Sequence, residues 1–141
     1  MEKINPIPQG KYVPATRFEN LIFTAGMTPR KNGVLILTGK VSPQVPLENY
    51  HEAVTLAAAN ALTAAQNMLC PGETIGRVLS LSVYVNAAEG FTAHSKLADF
   101  ASDYLSEELG EAGAAARAAV GMGSLPGEAP VEIQMICAVK S

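Results

Sequence analysis

The chain has 141 residues, 48% of them hydrophobic and 16% charged, with a formal net charge of -3. That is enough apolar material for one self-sufficient core and too little length for two ordinary domains, so a single domain over residues 1–141 is expected. The acidic balance has no basic run to offset it and the chain has no Trp, which argues against nucleic acid as a partner; no apolar run approaches membrane-spanning length and the first ten residues carry no apolar signal region, so no membrane partner and a cytoplasmic location are expected.

In chain order, Pro6, Pro8, Gly10 and Pro14 interrupt the N-terminus. Residues 1–11 therefore read as an extended arm, with an edge strand around Tyr12. Leu21–Ala25 and Val34–Thr38 read as strands, joined as a hairpin through a long turn that ends on Asn32-Gly33. After the loop 39–46, Leu47–Leu69 has the longest helical pattern, opening behind Pro46 with Glu48 and Glu52 and stopping at Pro71-Gly72. It is alanine-rich, which permits close approach to a sheet. Strict alternation over Val78–Val85 puts Leu79, Leu81, Val83 and Val85 on one face. A second helix is expected over Phe91–Leu109, ended by Gly110.

The last stretch, Ala116–Val139, reads as two strands around the Gly/Pro-rich loop 123–130. In the second strand Val131, Ile133, Met135, Cys137 and Val139 alternate with Glu132, Gln134, Ile136 and Ala138. If the two strands close as a simple hairpin, Arg117, Ala119 and Gly121 share a face with Glu132 and Gln134. Arginine and glutamate then border a hollow floored by two small residues, about 13 Å apart at ~3.4 Å per residue. An arginine in an otherwise small, apolar strand is costly to desolvate unless an anion meets it.

The element order β-β-β-α-β-α-β-β implies a mixed sheet with both helices on one face. The other face, carrying Ser80, Ser82, Tyr84, Ala119, Gly121, Gln134, Ile136 and Ala138, is too apolar for an ordinary solvated surface, so a second subunit is expected to cover it. The two cysteines, Cys70 and Cys137, make no disulfide framework. His51 and His94 have no partner at metal-ligand spacing, so no metal is expected.

Several segments together resemble the reactive-intermediate deaminase family (Rid or YjgF-like, with the older label endoribonuclease L-PSP). They are Asn20-Leu-Ile-Phe-Thr-Ala-Gly26, Arg117-Ala-Ala-Val120, Leu125-Pro126 and Val131-Glu132-Ile133, and the resemblance runs from about Tyr12 to Val139. It implies a chorismate-mutase-like α+β fold assembled as a homotrimer with a central barrel and ligand clefts between subunits. It also implies cofactor-free hydrolysis of 2-imino or enamine acids to 2-keto acids and ammonia, with a small carboxylate-bearing metabolite as ligand. By resemblance Arg117 clamps the substrate carboxylate, Glu132 positions or activates water, Tyr12 walls the cleft and Gly26 permits close approach of the backbone. The chain departs from the family pattern at Ala25, where serine is usual, at Ala119, where cysteine is usual, and at Glu89, where an asparagine often lines the site. The alanines remove polar contacts, so a binding or sensing module using the same cleft stands as the alternative to a deaminase. The ribonuclease and translation-inhibitor readings rest on the old family label, and the acidic composition speaks against them.

Overall fold

A computed structural model describes residues 3–141. Its main sheet has five strands in the order β1 (Ala15–Phe18), β2 (Leu21–Thr24), β7 (Val131–Lys140), β5 (Thr74–Asn86) and β6 (Ala116–Met122). Two further strands, β3 (Arg30–Lys31) and β4 (Val34–Leu35), pair only with each other. Helix α1 (His51–Gln66) follows a short 3-10 turn over Leu47–Tyr50, and α2 (His94–Leu109) connects β5 to β6. The fold is therefore α+β, a mixed sheet with two helices, as expected.

The helices cover one face of the sheet. Ile22, Val78, Leu81, Val83, Val85, Val131, Ile133, Met135 and Cys137 are all buried there, against Val54, Ala57, Ala58, Ala61, Leu62 and Ala65 of α1 and Leu97, Ala98, Ala101 and Leu105 of α2. Alanines at the contact bring α1 close to the strands, so backbone proximity rather than side-chain bulk builds that half of the core.

Three expectations about pairing are corrected. The segment 21–25 does not form a hairpin with 34–38: β2 lies antiparallel between β1 and β7, and the turn after it carries its own two-residue ladder. The edge strand expected around Tyr12 forms later, at Ala15–Phe18, because a residue before Pro14 is already constrained and Ala15 is the first position free to pair. Most consequential, β6 and β7 do not touch. Strand β5 lies between them, parallel to β6 (Leu81 opposite Arg117, Val83 opposite Ala119) and antiparallel to β7 (Ser82 opposite Gln134, Tyr84 opposite Glu132). The loop 123–130 is long enough to carry the chain past the end of β5. It is pinned there by Lys40 Nζ, which donates to Gly123 O at 2.6 Å and to Asn86 Oδ1 at 2.9 Å, while buried Asn86 donates to Ala129 O at 3.0 Å.

The register redistributes the two faces. Arg117 and Ala119 sit in the rows of Leu81 and Val83, on the helix side, while Glu132 and Gln134 sit in the rows of Tyr84 and Ser82, on the open side. Ala119 and Gly121 thus leave the open face, and Ala118, Val120 and Met122 replace them. A register shift between Val78 and Ser80 also exchanges two neighbours, so Val78 is buried and Leu79 is 42% exposed. The open face still presents Phe18, Leu21, Phe23, Val120 and Met122 to solvent, with Ile136 and Ala138 between them. Among the described residues no helix is long and apolar enough to cross a membrane.

Candidate functional site

A cleft of about 320 Å³ opens where the end of β2, the start of β7 and the N-terminal arm meet. Its walls include Gln9, Tyr12, Ala25, Gly26, Thr28, Arg30, Pro126 and Glu132. Four of the seven residues singled out from the sequence, Tyr12, Ala25, Gly26 and Glu132, come together here.

Backbone pairing explains how. Past the end of β2 the chain stays paired to β7 through Met27 and Ile133, whose N–H groups each donate to the other's carbonyl at 2.7 and 2.8 Å. That tight pair brings Gly26 against the Glu132 side chain. A Cβ at residue 26 would lie 2.8 Å from Glu132 Cδ and closer still to Oε2. Gly26 is therefore required by the carboxylate that lies over it, rather than by a turn or a positive φ. The arm is fastened beside it: Ala25 N donates to Pro14 O at 2.8 Å, and the Tyr12 hydroxyl accepts from Gln9 N at 3.0 Å.

Glu132 is half-buried, and among the described residues its carboxylate has neither a hydrogen-bond donor nor a cation in contact. Desolvation therefore acts unopposed and raises its pKa above the usual carboxylate value. A desolvated carboxylate aimed into a cleft is a stronger base than a solvated one, and it is available to a water or a ligand proton.

Arg117 lies elsewhere. Its guanidinium reaches across the edge of the sheet to α2: Nη1 donates to Asp99 Oδ1 and to Ser102 Oγ, each at 2.9 Å, and Nη2 donates to Ser95 Oγ at 2.8 Å and to Ser95 O at 3.2 Å. Within one chain the two expected catalytic residues are separated by the sheet itself and by two strand spacings, about 10 Å, so the shared hollow inferred from a simple hairpin does not exist. Ala119 accompanies Arg117 on the helix side. Glu89 sits in the exposed turn between β5 and α2, outside the cleft.

Sequence reasoning passed over Gln9, Thr28 and Arg30, of which Arg30 carries a charge. It stands in the segment Thr28-Pro-Arg-Lys-Asn-Gly33, which reads as turn chemistry, and turn chemistry gives no signal for which side chain faces a cavity. Among the described residues no group of three or more His, Cys, Asp or Glu side chains is placed to hold a metal ion.

A protein of Agrobacterium tumefaciens with unknown function, Atu1372, superposes with a TM-score of 0.84 at 35% identity, covering 96% of this chain and 86% of the other. The Trypanosoma cruzi protein TCP17 is 28% identical over 130 residues, 87% of this chain and 81% of its own length. E. coli TdcF, solved with bound serine, shares the fold at a TM-score of 0.68 and 19% identity, over 97% of this chain and 94% of its own. The endoribonuclease L-PSP family model matches residues 3–139, and the chain accordingly belongs to the endoribonuclease L-PSP family, the YjgF-like or Rid proteins.

Proposed function

We propose that the protein is a cofactor-free deaminase that hydrolyses a small 2-imino or enamine acid to the 2-keto acid and ammonia. The observation that carries the reading is Glu132: a carboxylate without a partner among the described residues, its pKa raised by burial, held over Gly26 in a cleft of small-metabolite size. Glu132 takes a proton from water as the oxygen attacks the C=N carbon. That proton passes to the nitrogen to give the carbinolamine; the carbinolamine hydroxyl proton then moves to the same nitrogen as the C–N bond breaks, leaving the keto C=O and releasing ammonia, and an enamine substrate reaches this path by tautomerising to the imine. No redox step is involved, and the chain needs only one base and a way to hold the substrate.

The substrate carboxylate is held by Arg117 of a neighbouring copy. Strand β6 is a sheet edge, and the open face beside it exposes Phe23, Val120 and Met122, a surface that monomers seldom leave uncovered. A homotrimer with clefts between subunits brings the edge of one protomer to the Glu132 cleft of the next, so that two residues separated within a chain serve one ligand. The serine bound by E. coli TdcF, an amino acid of this size with one carboxylate, supports a ligand of that class. A cytoplasmic setting suits such a metabolite.

A second reading, binding or sensing without chemistry, is favoured by one feature. The Arg117 guanidinium already makes four hydrogen bonds to α2, and Ala25 and Ala119 offer no polar group to a reacting substrate. The purified protein, added to an amino-acid oxidase or dehydratase with semicarbazide as imine trap, decides between them. Accelerated loss of imine that disappears in Glu132→Gln supports the deaminase. Keto-acid binding abolished by Arg117→Ala, with no acceleration for any imine, supports the sensor.

A further inference from the structure

Glu132 shares its cleft with a second charged group that no ligand assignment yet uses. Arg30, on β3, forms part of the same 320 Å³ wall. Of its five N–H donors, one is used within the protein, Nη1 to Gly33 O at 2.9 Å. Nε is buried and has no partner among the described residues. Among the described residues no carboxylate comes within ion-pair distance of Arg30, whereas Arg17 is paired with Glu73 and Arg117 with Asp99. Arg30 is partly buried and no carboxylate among the described residues balances its charge, so its Nη groups are left to meet an anion in the cleft.

The placement is rigid. Asn60 Nδ2, from α1, donates to Thr28 O at 3.1 Å and to Arg30 O at 3.0 Å, and Arg30 N donates to Thr28 O at 2.8 Å. On the opposite side Gly127, at φ +66°, lies so close that a Cβ there would stand 2.9 Å from Arg30 Nη2. The backbone of residues 28–30 is thus held by α1, and the guanidinium lies against Gly33 and the loop that leads into β7, lining the same cavity as Glu132. A ligand between the two would meet a base at one end and a fork of donors at the other.

We propose that Arg30 binds a second acidic group of the ligand, so that the cleft selects dicarboxylates over monocarboxylates. The inference rests on the reading of this cleft as the ligand site, with Arg117 of a neighbouring copy taking the first carboxylate. The substrate class is then the imine of an acidic amino acid. The Nη2 donors and the second Nη1 hydrogen, unused among the described residues, are the edge that can meet a carboxylate in two-point fashion.

Calorimetric titration with 2-oxoglutarate and 2-oxobutyrate, as probes with two carboxylates and one, tests it on the full chain. The wild type is expected to bind 2-oxoglutarate at least about tenfold more tightly. Arg30→Gln should lower that affinity about tenfold to a hundredfold, leaving 2-oxobutyrate within about threefold, and Arg30→Lys should keep part of the preference. Arg117→Ala should weaken both probes alike. A wild type with no preference, or one that binds neither probe, overturns the proposal. So does an Arg30→Gln protein that loses both affinities equally with a lowered melting temperature, since that marks a brace for the 30–33 turn. Preference for 2-oxoglutarate without hydrolysis of any imine removes the deaminase reading and leaves Arg30's role standing. Equal turnover of imines from acidic and neutral amino acids does the reverse.

Discussion

Substituting Gly26 by alanine separates the site from the fold. Residue 26 has no positive φ, so alanine meets no backbone strain there. It would even stabilise slightly by restricting the unfolded chain, by about 0.4–1 kcal/mol. What alanine cannot do is coexist with Glu132 as placed. Its Cβ would stand 2.8 Å from Cδ, against an ordinary contact of 3.4 Å or more, so the carboxyl carbon must retreat by about 0.6 Å and the nearer Oε2 by more. The carboxylate is the free end of a flexible side chain, so the fold can yield at little cost. A general base moved by about 1 Å, however, can lose on the order of 100-fold in rate. Gly26→Ala should therefore melt within a few degrees of the wild type, about the shift that 1 kcal/mol produces, while imine hydrolysis in the semicarbazide assay falls by about two orders of magnitude. Wild-type turnover in Gly26→Ala would refute the role given to the Glu132 position. Gross loss of folded protein would show instead that the glycine serves the backbone.

The other expectations concern charge, thiols, packing and assembly. Because burial raises the Glu132 pKa, hydrolysis should fall with decreasing pH at a midpoint above the ordinary 4.5, and Glu132→Gln should abolish both rate and acid limb. The same shift stabilises the neutral form, an advantage present below 4.5 and lost as pH rises through the raised value, so Glu132→Gln should melt no lower than wild type at pH 7. Glu73 has the opposite sign: Arg17 and the Cys70 N–H hold its carboxyl down to about 2, so its stabilisation is complete above 4.5 and vanishes as pH falls through about 2. Arg17→Met should flatten that acid dependence in melting curves recorded from pH 2 to 7. Exposed Cys70 should react with a thiol reagent at pH 8, whereas Cys137, buried and pushed up to about 12, should react only after unfolding; prompt labelling of both would contradict the core assignment. Ala61→Leu, at a fully buried contact of α1 with the core, should cost about 1–3 kcal/mol by overpacking, read from urea denaturation. If the open face is the interface of the proposed homotrimer, Val120→Lys should lower the mass seen by light scattering to that of a monomer without unfolding the chain; an unchanged mass would mean that this face is not the interface.

Much of the architecture is carried by local chemistry. Alternation in 131–139 placed Ile133, Met135 and Cys137 inward and Glu132 outward, because the pleat has a period of two whatever the neighbouring strand is. Alanine spacing and Pro46 marked α1, and Gly110 marked the end of α2, because helix propensity and termination depend on residues a few positions apart. The cluster of Tyr12, Ala25, Gly26 and Glu132 was legible only through the family resemblance, not through any local pattern.

Strand order was decided by the tertiary structure alone. A hairpin of 116–122 with 131–139 was the shortest connection, but β5 has one strongly apolar face and paired with both, burying more than an edge position would allow. That single insertion moved Arg117 and Ala119 to the helix side and left Glu132 on the open side, so the two charges read as bordering one hollow stand on opposite faces of the sheet. Arg30 entered the cleft for the same reason, since the direction of a turn residue's side chain depends on what the turn packs against. Sequence determined the apolar side of β7 and where charges stand along each strand, because these follow from local periodicity, whereas the faces of β5 at Val78 and Leu79 and of β6 were set by register. Which charges meet depends on non-local pairing, and only the folded sheet decided that.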